Sequence, residues 1–299
     1  MIRRVGFFTL FFLLATSHVL TFMRMENARV HDALAGRLQQ IKPVMPPALA
    51  RLTAGEFKGV MADFMTIEAA SAIGRYLMQP GVRMRDLPPQ AWDVIYEILE
   101  TSQMLDPYFS DNYRLVQPFF AWEAQRPQQA IFFLKKGLEA RTWDWELAFF
   151  IGFDYFYFLD DKVQASHYLQ EAYSRPGGTG SITLATLSAK LLQKAGKTEI
   201  AMAYLIGLLR QENSEMQRKA IELRLRDLQG VLIVERAVVV YTQRFGVPPE
   251  NVELLVKTGI LAAVPENSYN KMPYCIDKHG AVFFDNPECR NSTPSKISR

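Results

Sequence analysis

The chain has 299 residues, with 34 Lys and Arg against 31 Asp and Glu, 49% hydrophobic residues and two cysteines. These values exclude a mostly disordered chain, a disulfide-dense scaffold and a multi-cysteine zinc module, and a net charge of +3 offers no basic stripe for nucleic acid. The length accommodates one large domain or two modest ones.

Arg3 and Arg4 precede Val5–Met23, nineteen residues without Asp, Glu, Lys or Arg. As a helix at about 1.5 Å per residue this run spans roughly 28 Å, one hydrocarbon core. The basic pair holds the inner side, which sends everything after Met23 out of the cytoplasm. Two fates fit residues 1–23. Either the run continues through Val19-Leu20-Thr21-Phe22-Met23 and stays as a membrane anchor, or Ala15-Thr16-Ser17 is a cleavage site and the segment is a removed signal. A buried soluble helix is the third reading, opposed by Phe7, Phe8, Phe11, Phe12, Leu13 and Leu14, which surround the helix instead of forming one stripe. Residues 24–47, with Pro43, Pro46 and Pro47, read as a linker.

Helical signals run from Ala48 to Leu77, break at Pro80-Gly81 and Pro88-Pro89, and resume, so residues 48–106 read as a helical cap with a partial repeat. Beyond them the chain aligns with itself. A shift of 35 pairs Val116 with Ile151, Gln117 with Gly152, Phe120 with Tyr155, Ala130 with Ala165, Leu134 with Leu169 and Gly137 with Ala172. A further shift of 36 reaches Leu187, Ser188, Leu191, Ala201, Leu205 and Leu208. Each unit in 107–212 holds two amphipathic segments of about four turns, separated by Gln125-Arg126-Pro127, Asp160-Asp161-Lys162 or Gly196-Lys197-Thr198. The prediction is a stack of three helical hairpins.

This pattern resembles the tetratricopeptide repeat (TPR) family. Gly152, Tyr155, Ala165, Tyr168 and Ala172 follow its consensus in the second unit, Gly196, Ala201 and Leu205 in the third, and Leu105-Asp106-Pro107 resembles its usual repeat ending. The step from the Gly phase to the Ala phase is 13, one more than consensus, which predicts an inter-helix turn one residue longer. The resemblance implies a mainly α solenoid whose first helices line a groove for peptides or protein partners. The small residues would let the helices of a hairpin approach closely, since no single hairpin buries its own apolar face.

Residues 108–173 carry 19 of the 36 aromatics, a density that asks for a reading. Ile151, Tyr155, Phe158, Phe133 and Leu134 are spaced to pack between helices. By the family's pattern, Phe149, Phe153, Phe156 and Tyr157 fall on the groove side of the second unit and Arg114 and Trp122 on that of the first. Large aromatics and Arg in a groove make binding hot spots. Core packing, a membrane-facing surface and an interdomain contact are the competing readings for these six.

From Ser214 to Phe245 there is no Pro and one Gly, Gly230, which predicts a long helix or kinked pair over 213–245. Its first half is charged and its second apolar, as expected of a helix that caps the repeats and then enters another core. Residues 246–285 change character: a short helix over Asn251–Leu261 with a Gly cap, a turn at Pro265–Asn270, and a hairpin of Tyr274-Cys275-Ile276 and Ala281-Val282-Phe283-Phe284 around Asp277–Gly280. With the long helix, this order is similar to the carboxy-terminal half of type II secretion pseudopilins, which implies a small α+β module. Asn267-Ser268-Tyr269-Asn270 departs from the family's loop, so its calcium site is not carried over. Cys275 and Cys289 stand 14 apart across the hairpin, and in an extracytoplasmic compartment a disulfide is expected. Residues 286–299 read as a polar tail.

No nucleotide loop, nucleophile elbow or metalloprotease motif is present. His18, His31, His167 and His279 do not pair at ligand spacing, and Asp63 and Glu68 fall on different faces of one helix. No catalytic residue, metal or cofactor is expected. The whole reads as a single-pass protein of a bacterial inner membrane, its bulk periplasmic, that scaffolds protein partners in a pilus- or secretion-type envelope assembly. The alternatives are an accessory subunit of a transporter or of a lipid or polysaccharide export enzyme, and an enzyme with a scattered site, for which a cavity gathering two carboxylates, or a carboxylate with His167, would speak. The partner and the oligomeric state are not legible in the sequence.

Overall fold

The computed structural model of the protein describes residues 16–17, 19–21, 47–78, 83–267 and 273–284. They are mainly helical, with eleven α-helices and one two-stranded sheet among the described residues. The predicted linker, apart from Pro47, and the tail 286–299 lie outside them, as does most of the predicted anchor. Among the described residues no helix is long and apolar enough to cross a membrane. The chain divides into two compact units at residues 133 and 134.

The first unit opens with α1 (Pro47–Ala54), a 3-10 turn (Gly55–Phe57), α2 (Lys58–Leu77), a second 3-10 turn (Met84–Asp86) and α3 (Pro89–Leu105). The helical stretch expected over Ala48–Leu77 is divided into two α-helices by the first of these turns. Gly55 adopts φ +50°, a left-handed conformation that ends α1 and redirects the chain. Pro89 occupies the first turn of α3, where a missing N–H costs nothing.

Next come α4 (Ser110–Val116), which continues as a π-helical stretch over Gln117–Glu123, and the start of α5 (Pro127–Ala140). The first repeat was expected to begin with a regular helix. Pro118 sits inside it, without an N–H and with a ring that crowds the preceding turn, and the wider π turn accommodates it. Edge-to-face rings fill this unit: Phe120 lies 5.4 Å from both Trp92 and Tyr96, and Phe133 lies 6.0 Å from Tyr96 and 5.7 Å from Tyr113. Burial holds the Tyr96 hydroxyl proton up to about 12, with Glu100 adding to the effect.

A polar knot also lies in this core. The Thr66 hydroxyl donates to Asn112 Oδ1 (2.5 Å), Asn112 Nδ2 donates to Ser102 Oγ (2.8 Å), and Ser102 Oγ donates to the Ala62 carbonyl (2.8 Å). All three side chains are buried, so each bond replaces one that water would supply, and together they set the relative level of α2, α3 and α4.

The second unit carries the rest of α5, then α6 (Trp145–Tyr157), α7 (Lys162–Ser174), α8 (Ile182–Lys194), α9 (Thr198–Gln211) and α10 (Glu215–Phe245). Successive helices pack in order, α6 on α7, α7 on α8, α8 on α9 and α9 on α10. The phases aligned in the sequence are core: Ala130, Ala165 and Ala201 are fully buried, as are Leu134, Leu169 and Leu205. At Gly152 a Cβ would stand 3.0 Å from the Ala165 carbonyl oxygen, so α6 and α7 meet closely where a side chain is missing.

The turns inside the three hairpins repeat as well. Gln125 (φ 54°), Asp160 (φ 50°) and Gly196 (φ 69°) occupy the left-handed region, separated by the same 35 and 36 residues found in the sequence. The next N–H folds back onto a helix-terminal carbonyl each time: Arg126 to Phe120, Asp161 to Tyr155 and Lys197 to Leu192. Only the third turn uses glycine.

The long helix α10 is continuous for 31 residues, capped by the Ser214 hydroxyl and ended by left-handed Gly246. Ile221, Leu225 and Leu228 join the core of α8 and α9, whereas Val231, Val234, Val238 and Tyr241 join the carboxy-terminal module. That module comprises α11 (Val252–Lys257), capped by Asn251, and the antiparallel pair β1 (Tyr274–Ile276) and β2 (Val282–Phe284), in register Cys275 to Phe283. The expected helix over Asn251–Leu261 is shorter, because Gly259 at φ 72° turns the chain and Ile260 and Leu261 bond back to the Leu255 carbonyl. Gly230 is the contact point with α10, since a Cβ there would sit 2.1 Å from the Tyr274 hydroxyl.

Candidate partner-binding face

The face begins with α6, whose residues are apolar nearly all round. Asp144 starts the helix by accepting the Glu146 N–H, and Arg141 holds its carboxylate through Nη2 at 2.8 Å. One side of α6, with Leu147, Ala148, Ile151 and Gly152, is buried. The other carries Trp145, Phe149, Phe153 and Tyr157 at four-residue intervals, one above another on a helix. Their ring centroids stand 6.2, 6.4 and 5.6 Å apart in turn, and the Phe153 and Tyr157 rings are nearly parallel at 9°. The ladder is anchored at Trp145, against which the glycine turn after α7 packs: a Cβ on Gly177 would lie 2.8 Å from the indole. Exposure rises away from that anchor, from half-buried Phe149 and Phe153 to Phe156 at 37% and Tyr157 at 56%.

The first-unit members of the predicted set are both exposed. Arg114 on α4 pairs with Asp111 at 3.9 Å, and Trp122 projects from the π-helical stretch at 42% exposure. Phe149, Phe153 and Tyr157 are therefore one continuous surface, with Phe156 exposed on the same helix, while Arg114 and Trp122 belong to the other unit.

Sequence reasoning missed a cation beside this helix. Lys135 on α5 donates from Nζ to the Tyr155 hydroxyl at 2.9 Å and lies 5.2 and 5.1 Å from the ring centroids of Tyr155 and Tyr168, themselves stacked at 5.7 Å. Partial burial alone would lower the Lys135 pKa, but hydrogen bonds to Tyr155 and Tyr168 outweigh it and the net shift is upward, so the ammonium stays charged. Tyr155, expected as plain core, instead uses its polar end. The available signal was the pairing of Tyr155 and Tyr168 at the Gly-to-Ala step.

The remaining candidates lie elsewhere. A half-open cleft of about 620 Å³ in the carboxy-terminal module is lined by Tyr241, Pro248, Pro249, Ile276, Glu250 and Asp277 among others. It gathers two carboxylates, the arrangement that would speak for catalysis. Asp277 is committed to the hairpin turn, however, its Oδ1 accepting the N–H groups of His279 and Ala281 at 2.8 and 2.9 Å. His167 is exposed on α7, edge-on to Tyr168. On α2 Asp63 is exposed and Glu68 half-buried, Glu68 pairing with Arg75 at 3.6 Å. No group of three or more metal-ligating side chains occurs among the described residues. Cys275 is disulfide-bonded, and its expected partner Cys289 lies outside the described residues. No protein-family model matches the chain, and no curated protein matches its sequence.

Proposed function

We propose that this chain is a membrane-anchored periplasmic scaffold of the TPR type, which captures a segment of an envelope protein against the aromatic face of α6 and carries a pseudopilin-like docking module at its end. The observation that carries the reading is the ring ladder Trp145–Phe149–Phe153–Tyr157, held rigid at one end and increasingly open at the other. Rigid aromatics lose little side-chain entropy when a partner covers them, and such residues dominate binding energy. The left-handed turns at Gln125, Asp160 and Gly196 support the repeat reading, because a shared backbone solution at a fixed interval is what a duplicated hairpin leaves.

The test replaces Phe153 and Tyr157 by Ser in the full chain and cross-links it in intact cells beside a variant ending at residue 245. At about 2 kcal/mol or more for a hot-spot ring, capture should fall roughly thirtyfold or more with the helical circular dichroism unchanged. Undiminished capture would refute the aromatic face. Recovery of transporter or lipid-processing components with both the intact and shortened chains would replace the scaffold reading by the accessory one.

A further inference from the structure

The outward face of α2 carries a second surface, unrelated to the ladder. Phe57, the last residue of the 3-10 turn that leads into α2, and Val60, Phe64 and Ile67 on the helix follow one another at intervals of three and four and are 72%, 67%, 54% and 63% exposed. The same intervals continue to Ser71 and Gly74. The opposite side of the helix, with Ala62, Thr66, Ala69 and Ile73, faces the unit's interior. The spacing is that of a two-stranded coiled-coil seam, with its four large members open to solvent and Ser71 and Gly74 half-buried. The four large side chains expose on the order of 450 Å² per chain, within the range of the largest apolar patch on a typical monomer, which is often a functional one.

What distinguishes the seam is its internal symmetry. Reflected about the point between Met65 and Thr66, Phe57 falls opposite Gly74, Val60 opposite Ser71 and Phe64 opposite Ile67. Each end sets a large side chain against a small one, and the middle sets two large ones together. Gly74 adds an independent mark. It has no left-handed φ, a Cβ there would meet nothing within 4 Å, and in a helix interior glycine costs about 1 kcal/mol relative to alanine. Among the described residues no contact requires it, but a Phe57 ring arriving from another copy would.

We infer that α2 is a self-association surface: two copies of the chain pair antiparallel through Phe57, Val60, Phe64, Ile67, Ser71 and Gly74, with a twofold axis at the middle of the seam. Doubled over two copies, the exposed area reaches about 900 Å² before flanking residues such as Met78 are added, approaching the lower bound of specific interfaces. Arg75 neutralises Glu68, one of the two acids beside the axis. A bilayer-facing helix would gain from apolar bulk at every seam position and has no use for Ser71 and Gly74.

The test uses the full chain expressed in cells as two differently tagged copies, one with Val60→Cys and the other with Ser71→Cys, treated with a short bismaleimide. A strong 60-to-71 adduct is expected, and likewise one between Phe64→Cys and Ile67→Cys. Two Val60→Cys copies would hold their thiols about 16 Å apart along the axis and should give at least tenfold less product. Gly74→Leu should lower the 60-to-71 adduct at least tenfold with helicity unchanged. Equal 60-to-60 and 60-to-71 yields would overturn the antiparallel register. Absence of inter-copy adducts, together with stronger binding of the Gly74→Leu chain to phosphatidylcholine vesicles, would assign the face to lipid and overturn the proposal.

Discussion

Replacing Gly230 by Ala tests how the carboxy-terminal module is seated on the long helix. In an unencumbered helix interior this change stabilises by up to about 1 kcal/mol, because glycine loses more backbone entropy on folding. Here the new Cβ would stand 2.1 Å from the Tyr274 hydroxyl, 3.3 Å from its Cζ and 3.4 Å from Pro265 Cβ. The ring is 8% exposed, and it belongs to a strand paired with β2, so relief requires β1 to move away from α10. Overpacking of this kind costs about 1–3 kcal/mol. Net of the propensity gain, Gly230→Ala should destabilise by about 1–2 kcal/mol. Removing the offending oxygen should undo much of this, since Tyr274→Phe leaves only the 3.3 Å ring contact and the 3.4 Å contact with Pro265 Cβ. A double-mutant cycle should then show a coupling of about 1 kcal/mol between the two positions. Amide exchange in β1 and α11, followed beside denaturant unfolding of the intact chain, reads the effect locally. Faster exchange confined to the module is expected. A Gly230→Ala chain as stable as the parent or more so, or a double variant no better than the single one, would refute the close-approach argument.

Alkali should loosen the same module. Burial, aided by the charge of Asp227, raises the Tyr274 pKa from 10.0 to about 12, so its contribution to stability is complete below pH 10 and is lost as the pH climbs to 12; exchange in β1 should accelerate over that window, and Tyr274→Phe should abolish this part of it. In the hairpin turns, Asp160→Gly and Gln125→Gly should each stabilise by about 0.5–1 kcal/mol, and Gly196→Ala should destabilise by about 1 kcal/mol, as measured by denaturant unfolding; the reverse order would contradict the left-handed conformations. The surface ion pair of Asp160 with Lys162 is too exposed to change that expectation. In the first unit, Asn112→Ala removes the acceptor of Thr66 and a donor to Ser102 and should cost about 2–3 kcal/mol, whereas Thr66→Ser, which keeps the hydroxyl, should cost about 1 kcal/mol in the same assay.

The parts of this protein legible in its sequence are those decided within a few residues of one another. The paired amphipathic segments and the 35- and 36-residue steps marked the hairpins and their turns, because an apolar stripe at helical spacing and a polar break act locally. Ser214 and Gly246 bounded the long helix, and Asp277 to Gly280 closed the strand pair, through caps and turns that need no distant partner. The four-residue spacing of Trp145, Phe149, Phe153 and Tyr157 likewise made a ladder of rings along one side of α6. Two local signals were present and passed over: Gly55, which splits the first helix, and Pro118, which widens the fourth.

Other features depended on how far one helix slides and turns against the next. That level is set by the combined packing of many side chains, so no short window of residues contains it. Asn112 meets Thr66 across 46 positions, Lys135 reaches Tyr155 across 20, and Tyr274 finds the missing side chain of Gly230 across a turn and a helix. Which side of α6 stays open, and which side of α2 is left with its large residues outward, were settled by burial of the opposite faces. A helix with apolar residues on more than one side can hide only the side its neighbours cover, and the order in which helices stack chooses that side.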